Sequence, residues 1–350
     1  GLQLLNRIVK DYPDNGFVQF YLADYYRTKK DSLNTEKYIR LALANDNIDN
    51  NLKVQYLLKL LVNQADLSLS TDHIYRYVQL LLEKYPGDLS VRTLNADFLK
   101  RENKLEECKK ELEFIISKEK NNYLVWEELM LLSNQLGDTA AMKSEGLECL
   151  NYFPNEPLPY MMISLPMLIE GNYAKATGYL QKGLELAPDK SFIKSQLYAY
   201  LGECYYKQDS IEIAFSMFDS AIAINPNDIM TLNNYSYYLS LRNERLNQAE
   251  KMISTALSAD PNNATFLDTY AWVLFKLKNY SLARFYMRSA IENTEKPSGV
   301  LYEHYGDILY MNGDKEEALK MWKKALELGD DISDNLKNKI VNGLSVEHEE

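Results

Sequence analysis

The chain has 350 residues, of which 46% are hydrophobic and 25% charged, so it can bury a large core and stay soluble. Only 10 Pro and 14 Gly are present, too few for a disordered or loop-dominated chain. A formal net charge of −11 without a basic stripe argues against nucleic acid and anionic membrane surfaces, and favours basic or apolar partners.

In chain order, the sequence begins Gly1-Leu2 with no initiator Met, already inside a half-hairpin (Leu2 to Tyr12). It reads as a segment of a longer protein, with any targeting sequence upstream. About nine helical hairpins follow, beginning near residues 16, 50, 89, 123, 157, 195, 229, 264 and 299. Proline ends second helices at Pro13, Pro86, Pro154, Pro188, Pro226 and Pro261, where its ring cannot continue the helix. The Asp or Asn that comes next (Asp14, Asn155, Asp189, Asn227, Asn262, and Asp88 after Gly87) is expected to cap the following helix. Gly137-Asp138, Gly171-Asn172 and Gly313-Asp314 mark turns inside hairpins.

The hairpin at 50–86 departs from the rest, with an extended turn from Gln64 to Asp72. The one at 157 carries Pro157, Pro159 and Pro166 beside Met161, Met162 and Met167. Pro166 is expected to kink or break its helix. That marks either a local irregularity or a joint with an adaptable Met-rich surface. The domain reading is 1–156 for a degenerate N-terminal half, 157–329 for a regular C-terminal half, 330–344 for a capping helix and 345–350 for a frayed tail. Ile332, Leu336 and Ile340, four residues apart among polar residues, give the cap one apolar face.

Small residues set the beat of the C-terminal half. Ala176, Ala214, Ala249, Ala283 and Ala318 form one series, and Gly183, Ala221, Ala256, Ala290 and Ala325 follow seven residues later. Ser164, Gly202, Ser236, Ala271 and Gly306 form an earlier one. Successive members are 34 or 35 residues apart, save one interval of 38 whose extra residues a loop around 190–194 is expected to absorb. A bulky residue stands between the two later series: Leu180, Phe218, Ile253, Met287 and Trp322. Small residues let two helix backbones approach, and the large one fills the hole beside them.

The segment YEHYGDILYMNGDKEEALKMWKKALEL (302–328) resembles a tetratricopeptide repeat (TPR), with Gly306, Ala318 and Ala325 at the family's small positions. Segments from 195, 229 and 264 are similar to it. The resemblance covers essentially the whole chain, and it implies an all-α, right-handed superhelical solenoid closed by a capping helix. The stretches 268–291 and 302–314 further resemble TPR proteins of bacterial cell envelopes, which are often periplasmic or lipid-anchored.

Signals for chemistry are weak. His73, His304 and His348 form no metal-binding spacing, and His304 is expected to be an exposed helical side chain. Cys108, Cys149 and Cys204 form no CxxC and read as buried small residues. Phosphate-cradling glycine loops and nucleophile elbows are missing from the sequence. Glu106-Glu107 and Glu316-Glu317 suit the positive ends of second helices. No apolar run of 18 residues is present, so direct membrane insertion of this segment is not expected. The expectation is a non-catalytic scaffold without metal or cofactor.

In each first helix, positions 2, 5, 9 and 12 form a stripe separate from the packed face. The family resemblance implies that this stripe lines a concave groove where peptides lie. It holds Leu158, Met161, Leu165 and Leu168, then Gln196, Ala199, Glu203 and Tyr206, then Met230, Asn233, Tyr237 and Ser240. Thr265, Asp268, Trp272 and Phe275 follow, then Val300, Glu303, Asp307 and Tyr310. One reading is a groove of aromatic platforms fringed with carboxylates for an extended peptide carrying apolar and basic side chains. The other is that Tyr206, Tyr237, Trp272 and Tyr310 pack between neighbouring helices. Acids and aromatics where chaperone-binding repeats carry Lys, Asn and Arg imply that chaperone C-terminal carboxylates are not bound. Two further possibilities are the targeting module of an enzyme whose catalytic domain lies elsewhere, and a glycan surface built on an exposed Tyr237–Trp272 pair.

Overall fold

The computed structural model describes residues 7, 8, 10, 11, 15–62, 71–329 and 332–344. Every regular element among them is a helix. The chain divides into two compact units, Gly1–Pro166 and Met167–Glu350. The first contains α1 (Gly16–Thr28), α2 (Ser32–Ala44), α3 (Asn50–Val62), α4 (Thr71–Lys84), α5 (Leu89–Arg101), α6 (Leu105–Lys118), α7 (Tyr123–Gln135) and α8 (Thr139–Cys149). The boundary falls inside α9 (Pro157–Ile169), which continues through Pro166 and is not broken by it. The second unit continues with α10 (Tyr173–Leu186), α11 (Phe192–Lys207), α12 (Ile211–Ile224), α13 (Ile229–Leu241) and α14 (Leu246–Ala259). It ends with α15 (Ala264–Lys276), α16 (Tyr280–Glu292), α17 (Gly299–Met311), α18 (Lys315–Leu328) and α19 (Leu336–Asn342). The half-hairpin 2–12, most of the turn 64–72 and the tail 345–350 lie largely or wholly outside the described residues.

The small-residue series is the packing code. All the alanines of the two second-helix series are fully buried, as are Leu180, Ile253 and Met287. A Cβ on Gly202 would meet the Phe218 ring at 2.9 Å, and one on Gly306 would meet Trp322 at 2.3 Å. These glycines are what bring α11 onto α12 and α17 onto α18. Tyrosines fill the seams between hairpins: Tyr206 stacks on Tyr238 at 4.0 Å, and Tyr235 on Phe218 at 5.1 Å. The Tyr235 hydroxyl still reaches the Asp219 carboxylate at 2.9 Å, so its polar tip is satisfied.

Local details correct the sequence reading. The extra residues before 195 extend α11 by a turn at its start and are not absorbed by a loop. Caps sit one or two residues later than expected. Asp228 accepts from the Met230 and Thr231 N–H groups, Asn263 from Thr265 and Phe266, and Ser191 from Lys194. The Pro-Asn pair is spent on the turn itself, which leaves the next polar residue at the cap position. Asp88 caps α5 as expected. Each fully described hairpin also turns through a left-handed residue, at Lys30, Asn103, Gly137, Gly171, Asp209, Asn243 (with Arg245 as a second), Lys278 and Gly313. Backbone bonds such as Lys104 N–H to Leu99 O (2.8 Å) and Asp314 N–H to Leu309 O (3.0 Å) close these helix ends. Only the three glycines announced this device in the sequence.

The hairpin at 50–86 lacks the small-residue code, and α3 packs against both α4 and α5. The buried Lys53 ties it together, donating to the Tyr85 hydroxyl at 2.8 Å and to Asn50 Oδ1 at 3.2 Å. Asn50 in turn donates to Asp88 at 2.7 Å.

Candidate partner-binding surface

The structure divides the first-helix stripe into stretches of different character. On α9, Leu158, Met161 and Leu165 are buried, so the apolar strip expected there is core and offers no exposed anchor.

At the far end, on α17, Glu303 and Asp307 are each only 3% exposed. Lys339 of α19 lies between them, its Nζ 2.7 Å from Glu303 and 2.6 Å from Asp307. Ser333 gives Glu303 its backbone N–H at 2.7 Å and its hydroxyl as well. Burial opposes ionisation of Glu303, but Lys339 and Ser333 outweigh it and hold the carboxyl below its usual range. For Asp307 burial wins and raises the pKa, with Lys339 and the Trp322 N–H (2.8 Å) pulling the other way. The expected carboxylate fringe is therefore closed here by the chain's own cap. Leu336 and Ile340 supply the cap's apolar contact as expected, while Ile332 precedes the short helix and packs beside it. Tyr310 stands between Trp322 (ring centroids 5.5 Å apart) and the backbone at Gly343.

In the middle, α13, α15 and α17 are knitted together. His304 is 5% exposed, not the exposed side chain expected. Its Nδ1 lies 2.9 Å from Asp268, and its ring stacks on Trp272 at 4.0 Å. Trp272 also stacks on Phe275 at 4.9 Å and is 7% exposed, so it is packing rather than platform. An exposed Tyr237–Trp272 pair for sugar stacking is not present: Tyr237 is half-buried, with its ring 6.3 Å from His304. The indole N–H of Trp272 and the amide oxygen of Asn233 are buried without hydrogen-bond partners among the described residues. The sequence could not show the contacts of His304, because they join residues one or two repeats apart.

Between α11 and α13 the stripe opens. Gln196, Ala199 and Glu203, at stripe positions 2, 5 and 9 counted from residue 195, line a cleft of about 140 Å³ with Tyr200, Asp228, Met230 and Asn234. Met230 is 56% exposed at its mouth. Glu203 makes no hydrogen bond or ion pair among the described residues. Burial raises its pKa, and Lys207 one turn further on pulls the other way. Tyr206, the last stripe residue of α11, is half-buried against Tyr238 and Phe215.

The N-terminal unit has an exposed patch the sequence reading missed. Phe17, Phe20, Tyr21, Leu52 and Tyr56 line an open groove of about 460 Å³ between α1 and α3. Applying the same stripe positions to the hairpin at 16 selects Phe17, Phe20 and Asp24, so the signal was available. Asp24 is engaged by Arg27, Lys59 and the Tyr56 hydroxyl.

Among the described residues, no group of three or more His, Cys, Asp and Glu is placed to hold a metal ion, and no helix is long and apolar enough to cross a membrane. The three cysteines are free and buried, and burial pushes their thiols up to about 11 to 12.

No protein-family model matches the sequence, and no curated protein is similar to it. Solved structures are. A chain of the Cut9–Hcn1 hetero-tetramer of APC/C aligns over 92% of this chain and 64% of its own, with 14% identity and a TM-score of 0.59. A tetratricopeptide repeat protein from Parabacteroides merdae aligns over 82% of this chain and 96% of its own, with 16% identity and a TM-score of 0.40. YrrB, described as a TPR protein with an unusual peptide-binding site, covers 61% of this chain over 97% of its own, with 15% identity and a TM-score of 0.40. The paired helices and the small-residue code, with the likeness to the Cut9–Hcn1 chain, define the class: the chain has the tetratricopeptide-repeat fold.

Proposed function

We propose that this chain is a non-catalytic protein-binding scaffold that takes an extended, basic or apolar segment of a partner along the first helices of its C-terminal unit. The observation that carries this reading is the cleft between α11 and α13. The stripe is filled by the protein's own side chains on α15 and by its own cap on α17, and it is open here. Its volume of about 140 Å³ is well under the roughly 300–1,000 Å³ of small-molecule and cofactor sites. That size suits one side chain presented by a larger partner. A half-buried carboxylate and an exposed methionine at the mouth supply a charge and an adaptable apolar contact.

The test is selection of random twelve-residue displayed peptides on the purified chain, followed by titration of the enriched peptides. Ala199→Trp fills the cleft from a half-exposed position and is expected to abolish their binding with the melting temperature unchanged. Peptides that bind Ala199→Trp as well as the parent would move the site elsewhere.

A further inference from the structure

The last hairpin and the hairpin of α11 and α12 share a glycine–aromatic contact and an acid at the same register, and three differences bear on that acid. Gly306 packs on Trp322 sixteen residues later, and Gly202 packs on Phe218 at the same separation. The residue after each glycine is an acid, Asp307 in one and Glu203 in the other. The two carboxylates therefore leave equivalent points of equivalent hairpins. On α17 a lysine ammonium sits on that carboxylate, at 2.6 Å. On α11 nothing from the described residues does.

The differences explain why one site is full and the other open. Three residues before the glycine, α17 has Glu303 and α11 has Ala199, so a long side chain is replaced by a methyl group and a cleft is left. Trp322 donates its N–H to Asp307, whereas Phe218 has no donor to give Glu203. The third is the cap: Lys339 comes from α19. The α11 site has the Glu203 carboxylate, the Asp228 carboxylate that caps α13, apolar walls in Phe218 and Met230, and the amides of Gln196 and Asn234.

We infer that the α11–α13 cleft is a lysine-side-chain pocket, in which a partner's ammonium binds Glu203 as Lys339 binds Asp307 within the same protein; this rests on the scaffold reading above. The methylene stem lies along Phe218 and Met230, and the three N–H donors of the ammonium find Glu203 and the amide oxygens. A lysine fits better than an arginine, because a planar guanidinium gains most from a second free carboxylate. The other acid of the cleft, Asp228, is occupied in capping α13, accepting from the Met230 and Thr231 N–H groups and the Thr231 hydroxyl.

The probe is n-butylammonium, titrated against the isotope-labelled protein while the Gln196 and Asn234 side-chain amides and the Met230 methyl are followed by NMR. Saturable shifts are expected at concentrations where n-butanol gives none and n-butylguanidinium binds more weakly. Glu203→Gln, which keeps shape and removes charge, is expected to weaken binding about tenfold. Equal shifts from n-butanol, tighter binding of the guanidinium, or undiminished binding by Glu203→Gln would overturn the lysine assignment. The peptides selected above separate the two readings. If they depend on Ala199 but tolerate both Glu203→Gln and lysine-to-norleucine replacement, the scaffold reading stands and the lysine pocket fails. If n-butylammonium binds and no peptide does, the pocket stands and the scaffold reading fails.

Discussion

Two carboxylates at one repeat position, Asp307 on α17 and Glu203 on α11, meet opposite fates. Asp307 is deeply buried, bonded to a tryptophan N–H and paired with Lys339; Glu203 is half-buried and unpaired among the described residues. The glycine–aromatic contact is the same in both, so it does not decide. The deciding groups are a donor on the second helix and a cation supplied from outside the hairpin. A repeat scaffold can therefore keep one geometry and choose, by a few side chains, which positions are closed for stability and which stay open.

The largest effect should come from breaking the closed site. Lys339→Met leaves Glu303 and Asp307 buried without their cation and is expected to cost about 3–5 kcal/mol, read by chemical denaturation of the C-terminal unit. Glu203→Gln should lie within about 0.5 kcal/mol of the parent. If both variants were equally harmless, Lys339 would be acting only as a surface pair and the contrast would disappear.

Next is the close approach that aims these carboxylates. Gly306→Ala drives a methyl group into Trp322 and is expected to cost about 1–3 kcal/mol. Gly178→Ala, in an exposed helical position with open space around it, should instead stabilise by about 0.5–1 kcal/mol. Equal effects in melting experiments would mean that the small residues are a helix-propensity matter and not a packing code.

A smaller effect concerns an intermediate case in the N-terminal unit. Glu145 is buried, accepts from Ser133 at 2.9 Å, lies 3.9 Å from the Lys109 ammonium, and has a second oxygen without a hydrogen-bond partner. Burial pushes its pKa up to about 7 from an ordinary 4.5. The folded chain thus holds this proton more tightly than the unfolded chain, and stability falls as pH rises from about 4.5 to about 7. Glu145→Gln should therefore stabilise by about 1 kcal/mol at pH 8 and by almost nothing at pH 4. Equal stabilisation at both pH values would show that the charge is not what costs stability there.

Much of the fold was legible because the 34-residue beat writes helix–helix contact directly into sequence, as Gly306 with Trp322 and Gly202 with Phe218 show. Caps were read slightly early because Pro-Asn turns consume their own polar residue before Asp228 and Asn263 take over. Left-handed turns at Lys30, Asn103 and Lys278 were invisible because only glycine advertises that conformation. The stripe was found by register, but the state of its residues was not. Whether Asp307 faces a groove or a lysine depends on Lys339, 32 residues away and beyond the last repeat. Whether His304 is exposed depends on Asp268 and Trp272 in the preceding hairpin.

The most direct measurement of the open and closed sites is carboxylate footprinting with a carbodiimide and glycine ethyl ester, read residue by residue by mass spectrometry. Glu203 is expected to label readily while Glu303 and Asp307 in the same molecules stay protected. Glu203 as protected as Asp307, or Asp307 as reactive as Glu203, would contradict the account.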